Sequence, residues 1–236
     1  GTVHLILADG CKLNCRHIKL EQGNSLHIHS ESDGDNKGQL YVENDYYNGG
    51  ASFDSAAGIG GGKNENSGSL YVHGGYVKAV ANAEWNDDGA AIGGGINHCI
   101  GGEVVIYGGK VNAIGKAGAG IGGGCKGSQG GPVYIYDGDV YAQGQQGAAG
   151  IGGGMYDKGG SVYIYGGNVT AVGSNYTPKS GERNKHWSTP GIGGGQGNKS
   201  GDLHIYGGAV ESRGGDYSQC VTGSVEIVTG MRVTTN

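Results

Sequence analysis

The chain alternates. From Ser161 it reads S-V-Y-I-Y, with Val162 and Ile164 on one side and Tyr163 and Tyr165 on the other, and after two glycines it alternates again as N-V-T-A-V over 168–172. Period-two alternation of this kind marks a half-buried strand, and no stretch carries the period of a helix. A third element is GIGGG at 150–154, with close copies at 58–62, 91–95, 120–124 and 191–195. The isoleucines of the five copies (Ile59, Ile92, Ile121, Ile151, Ile192) are separated by steps of 33, 29, 30 and 41, the mark of a repeat architecture. Three short strands and three corners in roughly 30 residues is the size of one coil of a parallel β-helix, in which each strand pairs with its equivalent one coil on, about 4.8 Å away.

Stacking the units predicts ladders of equivalent residues. The first run gives inward columns Leu40, Leu70, Val104, Val133, Val162, Leu203, Val225 and Val42, Val72, Ile106, Ile135, Ile164, Ile205, Ile227. The second adds Val77, Val111, Val140, Val169, Val210 with small residues Ala79, Ala113, Ala142, Ala171, Ser212, and the Ile of GIGGG supplies the third wall. Ile28 precedes Leu40 by 12 residues, as Ile121 precedes Val133, so SLHIHS reads as an earlier version of the GIGGG strand. The expectation is an all-β chain: a single right-handed parallel β-helix (solenoid) with three short strands per coil and about six to seven coils. It forms one domain over 1–236, with 1–24 an irregular N-terminal coil or cap and 25–230 the repeats. SVEIVTGMRVTTN stops on strand-like sequence without an obvious cap, which suggests a neighbouring domain or partner at the C-terminal end.

Gly accounts for 56 of the 236 residues and Pro for 3, a level read as low complexity only in the absence of a period. Glycine-rich loops also cradle phosphate, but the closest look-alike, GIGGGK at 58–63, has Ala57 and Asn64 where a P-loop needs Gly and Ser/Thr. No helix-length segment follows any copy, as a dinucleotide fold requires. The net charge of −5, with dispersed Lys and Arg, offers no basic stripe for nucleic acid, and no apolar run approaches membrane length. Cys11, Cys15, Cys99, Cys125 and Cys220 are too scattered for a disulfide scaffold, although Cys99 and Cys125 follow adjacent GIGGG strands and a bridge between them is conceivable. Cys11, Cys15 and His17 lack a second ligand pair at zinc spacing.

The repeat GAGIGGG…VYIYGGNVTAVG resembles the glycine-rich right-handed β-helix repeats of large secreted or surface-anchored bacterial proteins, some described as carbohydrate-binding. The resemblance spans roughly 25–230 and brings no catalytic signature. It implies an extracellular or cell-surface protein with a polysaccharide or host glycan as partner, and no cofactor.

Three groups of residues are candidates for such a role. Outward tyrosines, among them Tyr134, Tyr136, Tyr163 and Tyr165, could stack on sugar rings, or could instead stack on one another to hold coils together. Two long connections, 81–89 and 173–190, carry the chain's two tryptophans, Trp85 and Trp187, and should rise about 14 Å apart on one corner. With Asp87, Asp88, Arg183 and His186 they would wall a trough floored by bare GIGGG strands. Glu84 and Glu182 add carboxylates for a polysaccharide lyase or glycoside hydrolase, but on loop tips rather than rigid strands. A passive stalk or adhesin spacer is the alternative that needs none of these residues. Asp33, Asp35 and Asn36 in SDGDNKG suggest a weak calcium site or a plain polar turn. His27 and His29 alternate with Leu26 and Ile28 and point outward without a third ligand close in sequence.

Overall fold

The computed structural model describes residues 1–45, 56–82, 88–176, 187–198, 201–216, 218–228 and 232–235. Among them there is no helix, and three parallel sheets form the three walls of a right-handed solenoid. The first sheet stacks eight strands, from Thr2–Leu7 and Ser25–Ser30 through Ser69–Val72, Val104–Ile106, Val133–Ile135, Val162–Ile164 and Leu203–Ile205 to Val225–Ile227. The second stacks Lys12–Cys15, Gln39–Asp45, Tyr76–Asn82, Lys110–Gly115, Asp139–Gly144, Asn168–Val172, Ala209–Arg213 and Arg232–Thr235. The third has six two-residue strands, Ile18–Lys19 and then each Ile–Gly of the repeat, and a bridge from Ile192 to Val221 extends it by one step. These make seven coils and the start of an eighth.

Every pairing is in register, so identical positions superpose. Val104, Val133, Val162 and Leu203 stand in one inward column, Ile106, Ile135, Ile164 and Ile205 in the next, and Val111, Val140, Val169 and Val210 face them from the second sheet. Ile59, Ile92, Ile121, Ile151 and Ile192 close the triangle, and all of these side chains lie in one continuous buried core. A β-coil cannot bury its apolar face alone, and stacking neighbours on both sides supplies the missing surface.

The first two coils correct the sequence alignment. Ser25–Ser30 pairs with Ser69–Val72, Leu26 beside Leu70 and Ile28 beside Val72, so SLHIHS is a first-sheet strand and not an early GIGGG strand. Leu40 and Val42 pair with Val77 and Ala79 and belong to the second sheet, which carries Tyr41 and Glu43 there too. The physical reason is the corner between the two sheets. In four coils it is a turn centred on two glycines, such as Gly74–Gly75, and in the first and fifth it is the similarly short 8–11 and 136–138, but in the second coil it swells to 31–38, long enough to mimic a whole connection. Residues 1–24 are also not irregular, since Thr2–Leu7, Lys12–Cys15 and Ile18–Lys19 make a complete coil on the same plan.

The glycines of GIGGG answer to backbone crowding. Gly122 has φ +136°, where L side chains are strained, and a Cβ built there would meet the carbonyl oxygen of Gly152 at 2.1 Å. That close approach puts the Gly123 N–H 2.8 Å from the Gly152 carbonyl, one rung of the ladder joining consecutive coils. The strip is not bare on the outside. The chain after each GIGGG folds back over it, and Ile96, Cys125 and Met155, each four residues beyond its Ile, pack with Ala117 in a second small core that Tyr176 borders. The Met155 N–H donates to the Ala117 carbonyl, and those of Cys125 and Gln196 donate to Asp88 and Gly147, at 2.8–3.1 Å.

Candidate functional site on the first sheet

The outer side of the first sheet carries seven of the chain's 15 tyrosines and five of its eight histidines. One outward column runs His4, His27, Tyr71, Val105, Tyr134, Tyr163, His204, and the other runs Ile6, His29, His73, Tyr107, Tyr136, Tyr165, Tyr206. Residues two apart on a strand share a face and coils repeat in register, so the alternating pattern alone builds this ribbon. The second column is the more open, with Tyr107, Tyr136, Tyr165 and Tyr206 between 38% and 45% exposed.

The rings lie face to face along the solenoid axis. Tyr136 stacks on Tyr107 at 5.1 Å and on Tyr165 at 4.7 Å, and Tyr165 continues to Tyr206 at 5.0 Å, with interplanar angles of 7–17°. Tyr163 lies between Tyr134 at 4.9 Å and His204 at 4.8 Å. The flat faces of Tyr136, Tyr163 and Tyr165 are therefore occupied by neighbouring rings, and these residues offer solvent their edges and hydroxyls. Of the two roles the alternation leaves open to these tyrosines, stacking on one another between coils is the one these contacts make. Burial pushes the Tyr134 phenol above its ordinary pKa, and it does the same for Tyr71, whose hydroxyl also donates to Glu103 at 2.9 Å.

At the N-terminal end the ribbon turns from tyrosine to histidine. His4 Nδ1 and His29 Nε2 lie 3.0 Å apart, as do His27 Nδ1 and His73 Nε2. The rings also stack: His29 on His73 at 4.3 Å, and His27 between His4 at 4.7 Å and Tyr71 at 4.4 Å. Burial first, and neighbouring imidazoles second, hold His27 and His73 below the usual histidine pKa. Among the described residues, His4, His27 and His29 are the one set of three His, Cys, Asp or Glu side chains drawn close enough to share an ion. The sequence marked His27 and His29 but missed their partners. The signal was present in the alternation of T-V-H-L-I-L and in His73 beside the tyrosine column, and it was hidden by placing SLHIHS on the wrong wall.

A second feature lies on the second sheet, where Lys12, Asn14, Cys15, Arg16, Tyr41, Glu43 and Lys78 line an open cleft of about 520 Å³. Lys12 Nζ sits 4.0 Å above the Tyr41 ring, and Lys78 pairs with Glu43 at 3.0 Å, which holds the lysine above its ordinary pKa.

The two long connections do leave the same corner, between the second and third sheets, three coils apart. Trp85, Asp87, Arg183 and His186, with Glu84 and Glu182, lie outside the described residues. The backbone of Trp187 is described and pairs antiparallel with Tyr176. Asp88 is fully buried, because it takes the place that Ala117 and Gly147 take in the next coils under the chain folded back over GIGGG. With the glycine strip buried as well, the expected trough has neither its floor nor its Asp88 wall.

Asp33, Asp35 and Asn36 sit on the enlarged corner of the second coil, where the Asn36 carbonyl accepts from Gly10 N–H at 2.6 Å and the Asp33 carbonyl from Lys37 Nζ at 3.3 Å. Cys11 and Cys15 pack against the main core. None of the five cysteines is in a disulfide, so Cys99 and Cys125 are not bridged. Cys125 is in the second core, and Cys99 Sγ lies 2.8 Å from the Ile96 carbonyl.

No curated protein and no solved structure matches the chain. The model of a family described as beta helix repeat matches it four times, over 70–96, 104–125, 133–155 and 162–196. Each match begins at a first-sheet strand and ends just beyond an Ile–Gly strand, so the repeating unit of that model is the coil seen here. Its own three in-register parallel sheets make the chain a parallel β-helix built of repeated coils, the architecture those four stretches share with the family model.

Proposed function

We propose that this chain is a non-catalytic structural module, a rigid stalk or spacer of a bacterial cell-surface protein. One observation carries the reading: the side chains that would otherwise make a binding face are spent on coil-to-coil contact, tyrosine on tyrosine along the first sheet. The buried glycine seam and the in-register ladders point the same way, because each coil is fixed to the next along all three walls. Repeat arrays of this kind gain length by adding coils at little cost in topology.

A second reading, glycan binding, is favoured by the cleft of Lys12, Arg16, Tyr41 and Lys78, where three cations face one carboxylate, Glu43. Such a cleft suits an acidic polysaccharide rather than a neutral one, since bidentate and charge-assisted bonds reward carboxylate groups. Electrophoresis of the protein through gels containing neutral or acidic polysaccharides decides between the two. The spacer reading expects unchanged mobility in every gel. Retardation by the acidic polymers that disappears in Lys12→Ala with Arg16→Ala would overturn it in favour of glycan binding.

A further inference from the structure

Four of the chain's eight histidines meet in one patch at the N-terminal end of the first sheet. His4 comes from the first coil, His27 and His29 from the second, and His73 from the third. Farther along, as far as the seventh coil, the equivalent positions hold tyrosines except for Val105 and a single histidine, His204; the tyrosines continue the same stack of flat rings but bring no neutral nitrogen to it. Stacking alone therefore does not account for imidazole here. What distinguishes the patch is a set of nitrogen donors on three adjacent rungs.

The spacing fits an ion. One ring nitrogen from each of His4, His27 and His29 lies within 4.8 Å of the other two, and the His4 and His29 nitrogens are already 3.0 Å apart. In a tetrahedral site with Zn–N bonds of 2.0–2.1 Å, ligand nitrogens stand roughly 3.3 Å from one another. The site requires the three rings to turn toward one centre, and the exposure of His4 and the half-burial of His27 and His29 leave them solvent-facing edges on which to do so. An all-imidazole set suits zinc, copper or nickel and not calcium or magnesium, which take oxygen donors.

We propose that His4, His27 and His29 form a surface site for a late first-row divalent metal ion, with His73 holding the His27 ring in place. In this arrangement His27 uses Nδ1 for its bond to His73 and turns Nε2 to the metal, the outer-shell pattern that fixes the orientation of ligating histidines. Three protein ligands leave a fourth position facing solvent, free for water or for a donor atom of another molecule. The site is independent of the spacer role and of the cationic cleft on the second sheet.

The test is calorimetric titration of the whole chain with zinc chloride and, separately, calcium chloride at about pH 7.5, where free imidazole is neutral. The site predicts one zinc per chain, no calcium, and visible absorption bands of a tetrahedral nitrogen set when cobalt replaces zinc. His27→Gln and His29→Gln should abolish stoichiometric binding, His73→Gln should weaken it about tenfold, and His98→Gln should leave it unchanged. Circular dichroism and a metal-free unfolding curve establish that each variant is folded. A folded parent that takes up no stoichiometric zinc overturns the site, as does equal binding by folded His27→Gln and parent. Unchanged affinity in His73→Gln overturns the role given to His73.

Discussion

Tyr136 and Tyr165, 29 residues apart in sequence, lie with their rings 4.7 Å apart and 7° from parallel, one coil above the other. The same relationship recurs from Tyr107 to Tyr206, so the exposed edge of the first sheet is a zipper between coils as much as a surface.

Removing one ring should loosen that zipper on both sides. Tyr136→Ala loses two stacked contacts, each worth about 0.5–1.5 kcal/mol beyond its buried area, and should cost about 1–2 kcal/mol in urea unfolding. Tyr136→Phe keeps the stack and should cost under about 0.5 kcal/mol. Equal losses in the two variants would assign the stabilisation to the hydroxyl instead.

Asp157 gives the fold a pH dependence of defined sign. Its side chain is 6% exposed, Oδ2 accepts from the Gly127 N–H at 3.0 Å, and burial raises its pKa to about 6 despite that bond and the nearby His98. The folded state therefore binds this proton more tightly than the unfolded state, whose aspartate titrates near 3.9. Stability must fall as pH rises from about 4 to about 6 and level off above. The difference between parent and Asp157→Asn across that window should be about 1–2 kcal/mol once solvent screening is allowed for, measured by unfolding curves at a series of pH values. A constant difference between the two proteins contradicts this assignment.

The cysteines should titrate as five thiols per chain in denaturant without reductant. In the native protein Cys99 and Cys125 should stay unreactive, since both are buried and burial also disfavours the Cys99 thiolate. A denatured count of three would show a disulfide that this structure does not contain.

Much of this architecture was legible in the sequence. Val162 and Ile164 with their equivalents announce one wall by alternation, Val169 and Ala171 with theirs a second, and Ile121 with its copies the third, because in-register stacking makes every coil repeat the same pattern. The second coil was misread because its corner at 31–38 is as long as a connection, and sequence spacing does not distinguish a wide corner from a short strand. The histidine patch was lost with it. The glycine strip was misread for a different reason. A run without side chains is compatible with an exposed strip or a crowded seam, and only the chain folding back at Ile96, Cys125 and Met155 decides between them. The same fold-back buries Asp88, which by residue type alone reads as a loop-tip acid.

The seam is what turns the candidate trough into structure, and Gly122→Ala tests it most directly. A methyl group there meets Gly152 oxygen at 2.1 Å from a backbone at φ +136°, whereas at Gly34 it meets nothing closer than Ser32 Oγ at 3.8 Å. Urea unfolding should place Gly122→Ala about 2–4 kcal/mol below the parent and Gly34→Ala within about 0.5 kcal/mol of it. Equal stability of Gly122→Ala and Gly34→Ala would contradict a buried seam and return the glycine strip to the surface.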